Sequence, residues 1–382
     1  MKIGFDAKRA LANFTGLGNY SRLVIDTLAR EFPDSELLLY APKGKVPPVM
    51  EPTLALPNVT LHTPQGWMWR RLSGLWRVRG GLTDEIRRDG PDLYHGLSNE
   101  LPLDIAKAGC ASVVTIHDLI FRHHPRGYKA VDRAIYDYKF RHAAKAATRV
   151  IAISEATRRD LIASYDIEPE KIDVVYQGCD AQFREPVSDE AVRAVRERYG
   201  LEGRYIVAVG SVEPRKNQQL LIEALRGLPA DVKAVIVGRR NHDYGRELDG
   251  LITRRGLGDR VLFIEGAPFT DLPALYAGAT VAAYTSRIEG FGIPVIEAIN
   301  CGTPVVACTG TCLEEAGGPG ALYVHPENVE EAVHAFSHLL DDKLLRADMV
   351  LAGQRYVSRF VPEKFTADLL ATYARALAEY EK

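Results

Sequence analysis

Short apolar runs rich in β-branched residues recur along the chain, and stretches with helical spacing of apolar positions separate them. In the first half the runs are KIGFD (2–6), ELLLY (36–40), VTLHT (59–63), DLYHG (92–96), SVVTI (112–116), RVIAIS (149–154) and IDVVY (172–176). The second half has YIVAVGS (205–211), VKAVIVG (232–238), RVLFIEG (260–266), ATVAAYT (279–285), TPVVAC (303–308) and ALYV (321–324). The apolar positions in these runs are continuous, not alternating. Strands of that kind are covered on both faces, as in parallel sheets. Amphipathic stretches at 18–31, 128–147, 216–227 and 244–257 lie between them. Strand and helix in alternation predict an α/β chain of doubly wound parallel sheets.

The pattern restarts near position 204. Residues 181–203 read as a loop and a charged helix without a strand. The expected division is therefore 1–183 and 184–362, and 363–382 carries one last helical pattern. A length of 382 residues suits two domains. Ligands of doubly wound sheets bind at the carboxyl ends of the strands, so a cleft between two such domains is the expected site.

Several motifs fall at strand ends. In VAVGSVEPRKNQQLLIEAL (207–225) the reading ends a strand at Gly210 and starts a helix near Lys216. Arg215 and Lys216 would then sit in the first turn, where cations oppose the helix dipole and a bound anion would explain them. A solvated surface pair is the plain alternative. In SRIEGFGIPVIEAINCGTPVVA (286–307) Glu289 and Glu297 bracket a Gly-Phe-Gly turn. Gly290 and Gly292 free backbone N–H groups for a ligand, and Pro294 suits a first helical turn. Glu297 could grip a cis-diol, as acidic residues do with ribose. In SVVTIHDLIF (112–121) His117 and Asp118 end a buried strand; a base, a donor and a structural histidine all remain open. Gly16 and Gly18 precede a helix about ten residues after the first strand. A dinucleotide fingerprint needs the tight strand–turn–helix unit, and position 21 is Ser, so a nicotinamide or flavin site is rejected in favour of a glycine loop over the cleft.

The stretch GWMWRRLSGLWRVRGG (66–81) holds all three tryptophans and four arginines without an acid. It suits an anionic interface, a membrane surface or a phosphorylated acceptor, and equally a helix that packs its tryptophans and leaves its arginines outside. Composition narrows the partners. Lys+Arg number 48 and Asp+Glu 50, a net charge of -2, which excludes a strongly basic nucleic-acid binder. The first 183 residues carry net +3 and the remainder -5. The five cysteines form no Cys-x-x-Cys pair. The chain's start lacks the apolar core of a signal peptide, and no apolar run nears the ~20 residues that span a bilayer. A cytoplasmic setting with free thiols is expected, peripheral membrane contact staying open. His123-His124 and Cys308-x-x-x-Cys312 lack a second cluster that would complete a metal site. No Asp-x-Asp element stands in a suitable loop.

Together, Gly16 and Gly18, His117-Asp118, Gly210 to Lys216, and the Glu289–Glu297 pair with its Gly-Phe-Gly resemble the retaining glycosyltransferases of family 4. YQGCDAQF (176–183) is similar to that family's lead into the interdomain linker. The resemblance implies the GT-B fold: two facing Rossmann-like domains around a cleft, the first taking the acceptor and the second a nucleotide-diphosphate sugar, with the final helix crossing back to the first. It implies catalytic roles for His117, Glu289, Arg215 and Lys216. Arg215 and Lys216 would hold the diphosphate and Glu297 the ribose. Glu289 would stand near the donor sugar, with the Phe291 and Gly292 backbone on its hydroxyls. Gly16 and Gly18 would line the diphosphate side, the nucleobase would lie near Gly266–Phe269, and Ser211 and Ala267 would be further donor-binding residues. Trp67, Trp69, Arg70 and Arg71 are the acceptor or membrane candidates. No cofactor or metal is implied. The opening DAKRA and the IHDLIF stretch look most like bacterial mannosyltransferases of surface polysaccharide synthesis, which favours GDP-mannose and a glycan or lipid-linked acceptor. UDP-glucose and UDP-galactose stay open as donors. A sugar-nucleotide epimerase and a non-catalytic sugar-binding partner subunit are the competing readings.

Overall fold

The computed structural model describes residues 1–381, and all their side chains except that of Arg126. The chain divides into two units. One comprises Met1–Gln177 with residues 362–381, the other Gly178–Val361. The division thus falls between Gln177 and Gly178, ahead of the expected point after Phe183. The intervening residues pack on the second unit. A Cβ at Gly178 would stand 2.0 Å from the Phe360 carbonyl oxygen. Asn300 Nδ2 donates to Cys179 Sγ at 3.3 Å. The Phe183 ring stands 5.5 Å from that of Phe269 and 6.1 Å from that of Tyr276.

The first unit holds seven strands: β1 (Lys2–Asp6), β2 (Glu36–Tyr40), β3 (Val59–His62), β4 (Leu93–Gly96), β5 (Ala111–Ile116), β6 (Arg149–Ala152) and β7 (Ile172–Val174). They form one parallel sheet in the order β3-β2-β1-β4-β5-β6-β7. The second unit holds β8 (Tyr205–Val209), β9 (Lys233–Val237), β10 (Val261–Ile264), β11 (Val281–Tyr284), β12 (Val305–Cys308) and β13 (Ala321–Val324). Its parallel order is β10-β9-β8-β11-β12-β13. The central strands β4, β5, β6, β11 and β12 are buried at every position, which their unbroken apolar runs require. Both sheets reverse their order once, between β1 and β4 and between β8 and β11. The loops leaving these strands open on the crevice where such sheets bind ligands.

Helices fill the connections. The helix Pro362–Tyr380 buries Phe365, Leu369, Tyr373 and Ala376 on one face and packs against β4, β5 and β6. Arg149 Nη1 clamps its far end through Glu379 Oε1 at 2.7 Å. Three local expectations are corrected. Gly16 and Gly18 lie inside the helix Gly16–Glu31 and not in a loop, because Gly18 N donates to Thr15 O at 2.9 Å and Asn13 Oδ1 accepts from Thr15 N at 2.9 Å. The helix expected at Lys216 begins at Gln218, because Asn217 takes a left-handed φ of 55° and ends a separate turn, Pro214–Lys216. Residues 66–78 form two short helices, Gly66–Arg71 and Ser73–Val78, with Leu72 non-helical between them.

Candidate active site

The β8–β11 reversal of the second unit carries the densest charge cluster of the expected motifs. Arg215 and Lys216 follow β8, and Glu289 follows β11. Arg215 Nη1 reaches Glu289 Oε2 at 2.7 Å, and Lys216 Nζ reaches Glu289 Oε1 at 2.6 Å. Lys216 Nζ also donates to the Tyr284 hydroxyl at 2.6 Å. Arg215 Nη1 donates to the Ile288 carbonyl at 3.0 Å, and its Nη2 pairs with Glu213 Oε1 at 2.7 Å. Ser211 Oγ donates to the same Glu213 oxygen at 3.0 Å. The turn is fixed from below, where Thr285 Oγ1 donates to the carbonyls of Lys216 and Asn217 at 3.1 and 3.0 Å. Burial alone would raise the Glu289 carboxyl; Lys216 and Arg215 outweigh it and hold the group below the usual carboxylate range.

The rest of the Glu-x7-Glu segment is packed. Gly292 caps the helix Ile293–Asn300 at φ 116°, and a Cβ there would stand 2.7 Å from Leu313 Cδ2. The Phe291 side chain is buried, 5.2 Å from the Phe360 ring. Glu297 lies inside the helix and is buried, accepting from the Tyr276 hydroxyl at 3.2 Å. Burial pushes its carboxyl up to about 7, with Tyr276 opposing. The two glutamates therefore differ: Glu289 is held as an anion, Glu297 is poised between charge states. Ala267 is half-buried beside Gly266, at the end of β10.

In the first unit His117 directly follows β5 and is buried. Its Nε2 lies 2.9 Å from the Leu97 carbonyl, which can only accept. The ring is thus the Nε2–H tautomer when neutral, leaving Nδ1 as an acceptor. Burial pushes its pKa down to about 4, the Leu97 hydrogen bond opposing. Its backbone N donates to Asn99 Oδ1 at 2.7 Å. The Tyr20 ring, from helix Gly16–Glu31, stands edge-on at 4.7 Å. The Tyr20 hydroxyl meets Thr115 Oγ1 at 3.0 Å, Thr115 meets His95 Nε2 at 2.9 Å, and His95 Nδ1 meets the Tyr373 hydroxyl at 2.7 Å. This chain ties the final helix to the bed of His117. Gly18 is demanded by a close approach, since a Cβ there would stand 1.8 Å from the Asn13 carbonyl oxygen, whereas a Cβ at Gly16 would meet nothing within 4 Å.

The Trp/Arg stretch splits. Trp67, Arg70 and Arg71 are exposed and Trp69 is half-buried. Trp76 is buried, donating from Nε1 to Glu85 Oε1 at 3.1 Å. Arg77 is buried too, and its Nε donates to Asp6 Oδ2 at 2.8 Å. Sequence reasoning missed four partners: Glu213, Tyr284, Asp6 and Glu100, the last pairing with Arg77 Nη1 at 2.5 Å. Glu213 had a signal, standing two residues before Arg215. The others pair across elements distant in sequence.

Residues 21–183 match the family model described as Glycosyltransferase Family 4, and residues 193–356 match Glycosyl transferases group 1. O-antigen chain mannosyltransferase B of Escherichia coli is 28% identical over 394 residues, covering 98% of this chain and 99% of that protein. D-inositol 3-phosphate glycosyltransferase of Salinispora arenicola is 34% identical over 251 residues, 61% of this chain and 56% of that one. The crystal structure of Anabaena Alr3699/HepE in complex with UDP is similar at TM-score 0.78 and 25% identity, covering 98% of this chain and 100% of that one.

Proposed function

As the chain belongs to the glycosyltransferases, pairing a family 4 domain with a group 1 domain, we propose that it transfers a hexose with retention from a nucleotide-diphosphate sugar. The favoured donor is GDP-mannose and the favoured acceptor a glycan or lipid-linked glycan of a surface polysaccharide. The convergence of Arg215 and Lys216 on one carboxylate at the β8–β11 reversal carries this reading. It is a preorganised pair of cations where negative charge grows on a departing nucleoside diphosphate. Cations so placed serve in place of a metal ion. His117, with Nε2–H tied to Leu97, offers Nδ1 to a sugar hydroxyl. No carboxylate is assigned as nucleophile; attack is on the face the diphosphate leaves, and a leaving phosphate oxygen takes the acceptor's proton. Mannose is favoured because one relative that spans 98% of the chain, at 28% identity, is a mannosyltransferase by name. Among the described residues no helix is long and apolar enough to cross a membrane; the proposed setting is cytoplasmic, with peripheral contact through the segment around Trp67.

A panel of nucleotide sugars tests the reading. The true donor raises the melting midpoint by mass action and yields transferred sugar in excess chelator. No stabilisation by any nucleotide sugar rejects the reading. Free or epimerised sugar from the donor alone turns it to an epimerase.

A further inference from the structure

The chain supplies its own anion to Arg215 and Lys216. The two oxygens of Glu289 are divided between them, Oε2 on Arg215 at 2.7 Å and Oε1 on Lys216 at 2.6 Å. Glu213 adds a second carboxylate on Arg215 Nη2 at 2.7 Å. Two cations and two carboxylates sum formally to zero. A neutral cluster does not draw in a polyanion by its charge; a diphosphate that uses the same N–H donors has to take them from a carboxylate. The Glu213 carboxylate pairs with Arg215, shares its oxygen with Ser211, and its side chain is 34% exposed. Glu289 spans both cations, as two phosphoryl groups would, and its side chain is 11% exposed.

We propose that Glu289 is the internal stand-in for the diphosphate: the donor enters by displacing its carboxylate from Arg215 and Lys216, and the carboxylate returns as the nucleotide leaves. This rests on the nucleotide-sugar reading above. A displaced, buried carboxylate needs new donors. The hydroxyls of an intact donor sugar supply them, whereas the bare nucleotide product does not. The exchange therefore weakens binding of product more than of donor and favours release after transfer.

Calorimetry with inorganic pyrophosphate, GDP and UDP tests this on the full chain at fixed ionic strength. Glu289→Gln is expected to tighten pyrophosphate, and whichever nucleotide the wild type binds, by about tenfold or more. Glu289→Asp, too short to bridge both cations, tightens them less but in the same direction, and it carries the test if the glutamine variant does not fold. Glu213→Gln changes either affinity by less than about threefold. Wild-type binding with no tightening in the Glu289 variants overturns the exchange and leaves the nucleotide reading standing. A wild type that binds none of the three probes overturns both.

Discussion

The two sheets reverse strand order in the same way, and each reversal holds an arginine between two carboxylates. At the β1–β4 reversal Arg77 lies between Asp6, at 2.8 Å from Nε, and Glu100, at 2.5 Å from Nη1. Lys139 adds a second cation 3.4 Å from Glu100. At the β8–β11 reversal Arg215 lies between Glu213 and Glu289, with Lys216 as the second cation. Both clusters are formally neutral; what separates them is how deeply the arginine sits, since Glu100 and Lys139 are 13% and 28% exposed against 11% and 12% for Glu289 and Lys216. Arg77 and Asp6 side chains are 8% and 3% exposed, Arg215 and Lys216 20% and 12%. Arg77 also comes from the helix Ser73–Val78, so its ion pairs bolt that helix to the strand ends. Arg215 comes from a turn at its own strand's end. The first cluster is a lock; the second has the geometry of an exchangeable site. A reversal in strand order thus offers a crevice but not always a binding site, because buried side-chain ions can fill it.

The largest expected effect breaks the lock. Asp6→Asn leaves Arg77 buried without one of its partners, which costs about 3–5 kcal/mol. At about 2–4 °C per kcal/mol for a domain of this size, the melting midpoint falls by roughly 6–20 °C. Thermal melts with the wild type alongside measure it. An unchanged midpoint would mean that Arg77 is as exchangeable as Arg215, and the contrast between the clusters would be gone.

The matching change in the other cluster moves activity more than stability. Lys216→Ala removes one cation from the growing charge and is expected to lower turnover about 10²–10³-fold. Its midpoint falls less than that of Asp6→Asn, since Arg215 still pairs with Glu289. Turnover within about twofold of wild type would strip Lys216 of its role.

Much of this was legible in the sequence. Unbroken apolar runs gave the parallel sheets, because a strand covered on both faces has no polar side to alternate. The restart near 204 located the second sheet. Arg215, Lys216 and Glu289 were readable because each stands just past a strand end, where the fold itself brings them together. The lock was not readable. Arg77 is 71 residues from Asp6, and within 66–81 nothing in the spacing separates buried Arg77 from exposed Arg70. Long-range pairing decides that, and residue periodicity carries only local information. The turn before Gln218 was missed for a different reason: Asn217 adopts φ 55°, a choice asparagine permits but does not announce. Gly18 was noticed for its neighbours in a motif, while its requirement comes from contact with Asn13.

Glu297 sharpens the contrast within the exchangeable site. Its folded pKa, about 7, lies above the ordinary carboxyl value, so the native chain holds a proton that the unfolded chain releases. Stability from this group is present at low pH and is lost as pH rises from about 4.5 through about 7. The total is about 3 kcal/mol at one pKa unit per 1.36 kcal/mol. Glu289 acts with opposite sign: its lowered pKa adds stability above the ordinary carboxyl range that is lost on acidification. Denaturant unfolding at pH 5 and pH 8 separates the two. Glu297→Gln is expected to abolish the decline toward pH 8. An equal decline in wild type and variant would place the titrating group elsewhere.

The smallest effect concerns the two halves of one segment in the first unit. Arg77 belongs to the lock and Trp76 is buried next to it in sequence, but Trp67 is 79% exposed, with Arg70 and Arg71 exposed beside it. Burial of Trp67 cannot justify its presence, since so little of it leaves water on folding. Trp67→Ala is therefore expected to change stability by less than about 0.5 kcal/mol, against about 3–5 kcal/mol for Trp76→Ala. The same Trp67 variant should weaken cosedimentation with vesicles rich in anionic lipid, where an aromatic ring and neighbouring arginines act together. A stability loss above about 1 kcal/mol would make Trp67 a packing residue like Trp76. Unchanged vesicle binding would remove the membrane reading of the helix Gly66–Arg71 and leave only the neighbouring helix, Ser73–Val78, with a known purpose.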